Sequence, residues 1–150
     1  MEIILAENHG FCYGVKRAVE MANEAAEGKG KSYTLGPIIH NPQVVGRLES
    51  KGVSPIQEVA DIDEGTMIIR SHGVGPAIYA EAEEKGLHIL DATCPHVKKA
   101  QQDAKSVIED GMTLVILGEK NHPEVKSINL WANNKGIIIE DEESAKNLQV

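Results

Sequence analysis

Aromatic residues are scarce in this chain, making up 3% of its 150 residues, with a single Trp and a single Phe. With 41% apolar content the core must be built from Ile, Val, Leu and Ala, the palette of buried parallel strands. An excess of basic residues is also missing. Fifteen Lys and Arg face 23 Asp and Glu, a formal charge of -8. The lysines stand singly among acidic residues rather than in a stripe, which excludes a nucleic-acid footprint. An anionic ligand would therefore need a local site. No apolar run approaches the roughly 20 residues that span a bilayer, and the opening run is too short for a signal-peptide core. The expectation is a cytoplasmic protein without a membrane partner. There are two cysteines, Cys12 and Cys94, and no CxxC. So wide a pair in that compartment is disfavoured as a disulfide. The count alone does not separate metal ligands from small buried hydrophobes.

What is present is a repeated alternation. Short apolar runs at Ile3–Leu5, Tyr33–Leu35, Met67–Ile69, His88–Leu90, Leu114–Leu117 and Ile137–Ile139 read as strands. Between them lie stretches with helical spacing, Val15–Ala26, Val44–Lys51, Ala77–Lys85, Val97–Ile108 and Glu124–Ala132. Asp141–Val150 reads as a helix just begun. Strand followed by helix predicts an α/β fold, a parallel sheet with helices on its faces. Gly28, Gly52, Gly86 and Gly111 each stand where a left-handed helix cap is expected. The length suits one ordinary core and equally one part of a larger protein.

The residues able to do chemistry fall after a strand and at the start of the next helix: Cys12, His40, His72, Cys94 and His122. In open α/β sheets the carboxyl ends of the strands form the ligand-binding rim, so all five are expected on it. Pro42, Pro76, Pro95 and Pro123 sharpen the placement, because proline is pre-organised for the first helical position. Cys94 and His122 then fall at helix N-caps, where free N–H groups and the positive dipole end favour phosphate oxygens and thiolates alike. Three imidazoles at such junctions can converge on one anion. His9 and His88 support no role, His88 reading as a packed or edge residue of a strand, while His96, just inside the helix after Cys94, is open to either reading. Glu124, in a first helical turn, is either an ordinary dipole partner or, if it faces the rim, a proton-transfer group. A Cys/His zinc site is the competing metal reading, although ligands spread over separate loops lack the compact spacing of structural zinc motifs.

Five strings carry a resemblance: Gly10-Phe11-Cys12, Ile39-His40-Asn41, Ser71-His72-Gly73-Val74, Asp91-Ala92-Thr93-Cys94-Pro95 and His122-Pro123-Glu124-Val125. In order and spacing the chain resembles the 4-hydroxy-3-methylbut-2-enyl diphosphate reductase family. The resemblance implies the last step of the methylerythritol phosphate route, a two-electron, two-proton removal of an allylic hydroxyl giving isopentenyl and dimethylallyl diphosphates. It implies a 4Fe-4S cluster held by three cysteines, whose fourth iron binds the substrate hydroxyl. Cys12 and Cys94 match two of the three. His40, His72 and His122 match the imidazoles that hold the diphosphate, and Glu124 the carboxylate that delivers protons. A ferredoxin or flavodoxin is the implied electron donor. The family fold has three similar α/β units in pseudo-threefold arrangement. On this reading residues 1–95 form the first unit, residues 96–150 an incomplete second, and the third, with the third cysteine, is absent. The chain alone is then expected to be inactive, with an exposed unit interface that favours self-association. Two other classes are a phosphate- or diphosphate-binding α/β module without redox activity, and a thiol-dependent enzyme with Cys94 as nucleophile.

Overall fold

The computed structural model describes residues 2–7, 9–28 and 30–148. Helix α1 (Tyr13–Glu27) leads into strand β1 (Ser32–Leu35), then α2 (Pro42–Ser50), β2 (Val53–Ile56), a short 3-10 turn (Val59–Asp61) and β3 (Thr66–Ile69). The chain continues through α3 (Pro76–Glu84), β4 (His88–Asp91), α4 (Pro95–Glu109), β5 (Val115–Leu117), α5 (Pro123–Trp131), β6 (Ile137–Ile139) and α6 (Glu142–Lys146). Four strands make one parallel sheet in the order β2-β1-β3-β4, and β5 and β6 pair in parallel in a second. Among the described residues no helix is long and apolar enough to cross a membrane.

Alternation along β3 shows how the larger sheet is buried. Ile68 faces the cluster formed with Ala18 and Ala22 of α1 and Val44 and Leu48 of α2. Met67 and Ile69 face the opposite cluster, with Val59, Ala82 and Leu87. All three β3 residues are fully buried, so this central strand is apolar on both sides, as parallel strands between two helical layers must be. The order changes direction at β1, which neighbours both β2 and β3. A crevice is therefore expected past the carboxyl ends of β1 and β3. The loops leaving those two strands carry His40 and His72.

Each of the four prolines opens its helix as expected, at α2, α3, α4 and α5. The described residues depart from the expectations at three places. Ile3–Leu5 forms no strand and lies 74–83% exposed, because no neighbour among the described residues offers it a ladder. Gly28 closes α1 with an extended backbone (φ -73), and the left-handed conformation falls instead on Gly30 (φ 133). Strand β2 was not evident from its sequence because Val53-Ser54-Pro55-Ile56 contains a proline, which an edge strand tolerates. The helix expected over 141–150 is the short α6, with 149 and 150 outside the described residues.

Replacing Ile68 with Ala removes a fully buried side chain from the central strand. It should lower the unfolding free energy by about 2–5 kcal/mol in urea titrations. Ile4→Ala, at an 83% exposed position, should change it by less than about 0.5 kcal/mol.

Candidate functional site

His40 lies on the loop after β1, just before Asn41, whose side chain accepts from Val44 N (3.1 Å) and caps α2. His72 lies on the loop after β3, and His122 is itself the N-cap residue of α5. These three elements bring the imidazoles together, with ring centroids 4.7 Å (His40–His72), 5.6 Å (His72–His122) and 6.2 Å (His40–His122) apart. One ring nitrogen of each lies within 4.8 Å of the others. His40 is exposed and the other two are partly buried, so the cluster opens to solvent on the His40 side.

The electrostatics decide what such a cluster can hold. His72 is pushed down to about 4, first by burial and then by repulsion from His40, Arg70 and His122. Its Nδ1 is buried without a hydrogen-bond partner. Burial also depresses the Arg70 guanidinium. His122 Nδ1 accepts the backbone N–H of Glu124 at 3.2 Å. A neutral imidazole accepting at Nδ1 carries its proton on Nε2, so the other nitrogen is an N–H donor. A metal ion would need that nitrogen's lone pair and would turn an Nδ1 proton against the Glu124 N–H. The tautomer thus favours an anion over zinc.

Both cysteines stand at helix N-caps, Cys12 at α1 and Cys94 at α4, and neither side chain is used in capping. Cys94 Sγ packs over Gly14 in the first turn of α1, where a Cβ would fall 2.5 Å from the sulfur. The two thiols therefore belong to adjoining helix starts. Cys12 is exposed and Cys94 partly buried, and both are unpaired. Two free thiols at adjoining positive helix ends suit the thiolate ligands of a metal cluster.

The turn bearing Cys94 is held from several sides. Thr93 N donates to Asp91 Oδ1 (2.9 Å), and Cys94 N donates to Ser71 O (2.9 Å). Arg17 of α1 reaches Thr93 O (3.3 Å) and Asp91 O (3.4 Å). Asp91 Oδ2 accepts from Lys98 Nζ (2.7 Å) and Tyr79 Oη (3.0 Å). Burial pushes the Asp91 carboxyl up, but hydrogen bonds from Lys98 and Thr93 outweigh it and hold the group below the usual carboxylate range. Burial and the Asp91 charge push the Tyr79 hydroxyl upward. Glu124 is partly exposed beside His122 and has no ion-pair partner among the described residues.

Sequence reasoning passed over Arg17, Arg70, Gln101 and Ser127. Only Asp91 carried a readable local signal, an Asp two residues before a turn amide. Arg17, Gln101 and Ser127 act across 26 to 76 residues of sequence separation, which no local pattern reveals, and Arg70 acts on His72 from two residues away through its charge.

An imidazole near 6.5 in the unfolded chain and about 4 when folded makes stability pH-dependent. The unfolded state binds more protons between those values, so stability is full above about pH 6.5 and falls as pH drops toward 4. The loss from this ring should be roughly 2 kcal/mol after discounting for remaining solvent. Urea unfolding at several pH values, compared with His72→Gln, should show that slope in the wild type and a flatter one in the variant.

Comparison with known proteins gives the family and the fold. Residues 3–150 match the family model described as LytB protein. The chain is 51% identical over 148 residues to 4-hydroxy-3-methylbut-2-enyl diphosphate reductase of Geobacter metallireducens, covering 99% of this chain and 52% of that protein. It is 48% identical to the enzyme of the same name from Caldanaerobacter subterraneus, covering 99% of this chain and 53% of that protein. A solved structure of (E)-4-hydroxy-3-methyl-but-2-enyl diphosphate reductase, the terminal enzyme of the non-mevalonate pathway, superposes with TM-score 0.83 at 47% identity. That match covers 97% of this chain and 53% of the other. The E-1-hydroxy-2-methyl-but-2-enyl-4-diphosphate reductase of Plasmodium falciparum superposes with TM-score 0.91 at 32% identity, over 96% of this chain and 46% of the other. The chain thus spans about half the length of the relatives it matches. A parallel α/β sheet with this site at its rim, matched along the chain from residue 3 to residue 150, belongs to the LytB family.

Proposed function

We propose that this chain is the amino-terminal half of a 4-hydroxy-3-methylbut-2-enyl diphosphate reductase. The complete protein would reduce its allylic diphosphate to isopentenyl and dimethylallyl diphosphates. The observation that carries the reading is the convergence of His40, His72 and His122 on the rim that also bears the start of α4 and Cys94. Cys12 and Cys94 are two of three ligands of a 4Fe-4S cluster, the third lying outside this chain. The adjoining helix starts and uncommitted thiols support that assignment. When bound, the cluster supplies the electrons and a Lewis-acidic iron.

The chain's own residues do the rest. His122 donates through Nε2 to a diphosphate oxygen, in a tautomer set by the Glu124 amide. His72, neutral before binding, gains protonation as the anion arrives, since a nearby negative charge favours the imidazolium. His40, on the exposed side, completes the clamp. Glu124 holds the proton for the departing oxygen, because a carboxylate beside an anion site would otherwise only repel the ligand. A ferredoxin or flavodoxin delivers electrons, and the protein works in the cytoplasm. The units divide near residue 95, between the two sheets. The isolated chain, with two thiolates, does not turn over and self-associates through its exposed apolar faces, as at Leu117 (74% exposed).

The second reading, a diphosphate-binding module without redox chemistry, is favoured by the imidazole cluster alone. Reconstitution with iron and sulfide in a chain continued through the missing half distinguishes the two. Absorption near about 400 nm should appear and be lost in Cys12→Ser or Cys94→Ser. His40→Ala or His122→Ala should weaken diphosphate binding about tenfold and leave that absorption intact. Glu124→Gln should spare both and stop turnover. Colour indifferent to both cysteines would leave only the binding module.

A further inference from the structure

We propose that Ser127 and Gln101 are positioning residues, a buried latch that sets the His72 imidazole against the start of α5, where His122 and Glu124 stand. The proposal rests on the reading of the three imidazoles as a diphosphate clamp, and neither latch residue belongs to it.

Each is 3% exposed. Ser127 Oγ lies 2.8 Å from His72 O and 3.0 Å from Glu124 O, and it accepts from Gln101 Nε2 at 3.2 Å. With one lone pair engaged by the amide, its single proton must go to one of the two carbonyls. Three elements thus meet at one oxygen: α4 through Gln101, the loop after β3 through His72, and α5 through Ser127 and Glu124. The carbonyls it reaches belong to two proposed functional residues.

The backbone has been fitted to this junction. Gly73 has φ +71, and a Cβ there would run into Gln101 Nε2, with Thr93 Cγ2 at 2.9 Å. Gln101 can therefore reach Ser127 only past a residue without a side chain. An interface meant only to adhere could have been apolar, whereas a buried polar junction ties the position of the His72 loop to that of α4 and α5 through directional contacts. His72 owes its depressed protonation to burial and to His40, Arg70 and His122, all of which depend on where its loop sits.

The test uses a chain continued through the missing half, with inorganic diphosphate as probe. Calorimetry reads its affinity, and NMR titration reads the His72 imidazole. Ser127→Ala should keep the fold by circular dichroism and lose about tenfold in diphosphate affinity, the size of one such contact. Its His72 midpoint should rise from about 4 toward 6.5. Ser127→Thr, which keeps the hydroxyl, should restore both. A folded Ser127→Ala with wild-type affinity and a wild-type His72 midpoint overturns the latch, even if its melting temperature falls. Should Ser127→Ala not fold, the same two readings on Gln101→Met decide. If the wild-type chain does not bind diphosphate, the clamp reading fails by itself, and the His72 midpoint still decides the latch.

Discussion

The site depends on how the carbonyls of one short loop are tied down. Ser71 O accepts from Cys94 N, His72 O lies within hydrogen-bond reach of Ser127 Oγ, and Val74 O accepts from Trp131 Nε1 (2.9 Å). The loop after β3 is therefore bonded on one side to the turn bearing Cys94 and on the other to α5, which begins with His122. Neither sheet by itself would fix that spacing, since β4 ends at Asp91 and β5 begins at Val115 in separate sheets. Backbone carbonyls suit the task because each is obliged to find a donor when buried. Using those bonds to join elements aligns the proposed cluster side with the proposed diphosphate side.

Charge bears on the form of the proposed anion site. A chain of net charge -8 cannot attract a diphosphate by its overall field, so the proposed diphosphate site must attract locally. Among the three imidazoles, His72 is held neutral by burial and by the charges of His40, Arg70 and His122. On the proposed reading His72 takes up charge when an anion supplies compensation. The amide at Glu124 N chooses which nitrogen of His122 faces outward.

Much of this was legible in the sequence because local rules govern it. Proline at the first helical position marked four helix starts, and those starts located Cys94 and His122 at N-caps. The apolar runs of β1, β3 and β4 named their own strands, and the five strings pointed to the family. What stayed hidden was non-local or needed a partner. Ile3–Leu5 has a strand's composition but no ladder among the described residues. Edge strand β2 was masked by its proline. Ser127 and Gln101 look like unremarkable helix residues until folding brings them together across 26 positions. The sequence could name His72, but not the neighbours that keep it neutral.

The central claim is that one loop aligns both halves of the site, and Gly73 is the point at which to disturb it. In a chain continued through the missing half, Gly73→Ala places a methyl group against Gln101 and Thr93, the residue before Cys94. Iron-sulfur loading and diphosphate affinity, measured on the same folded preparation, should fall together. Loss of one with the other unchanged would show that the two sides are set independently and would contradict the account.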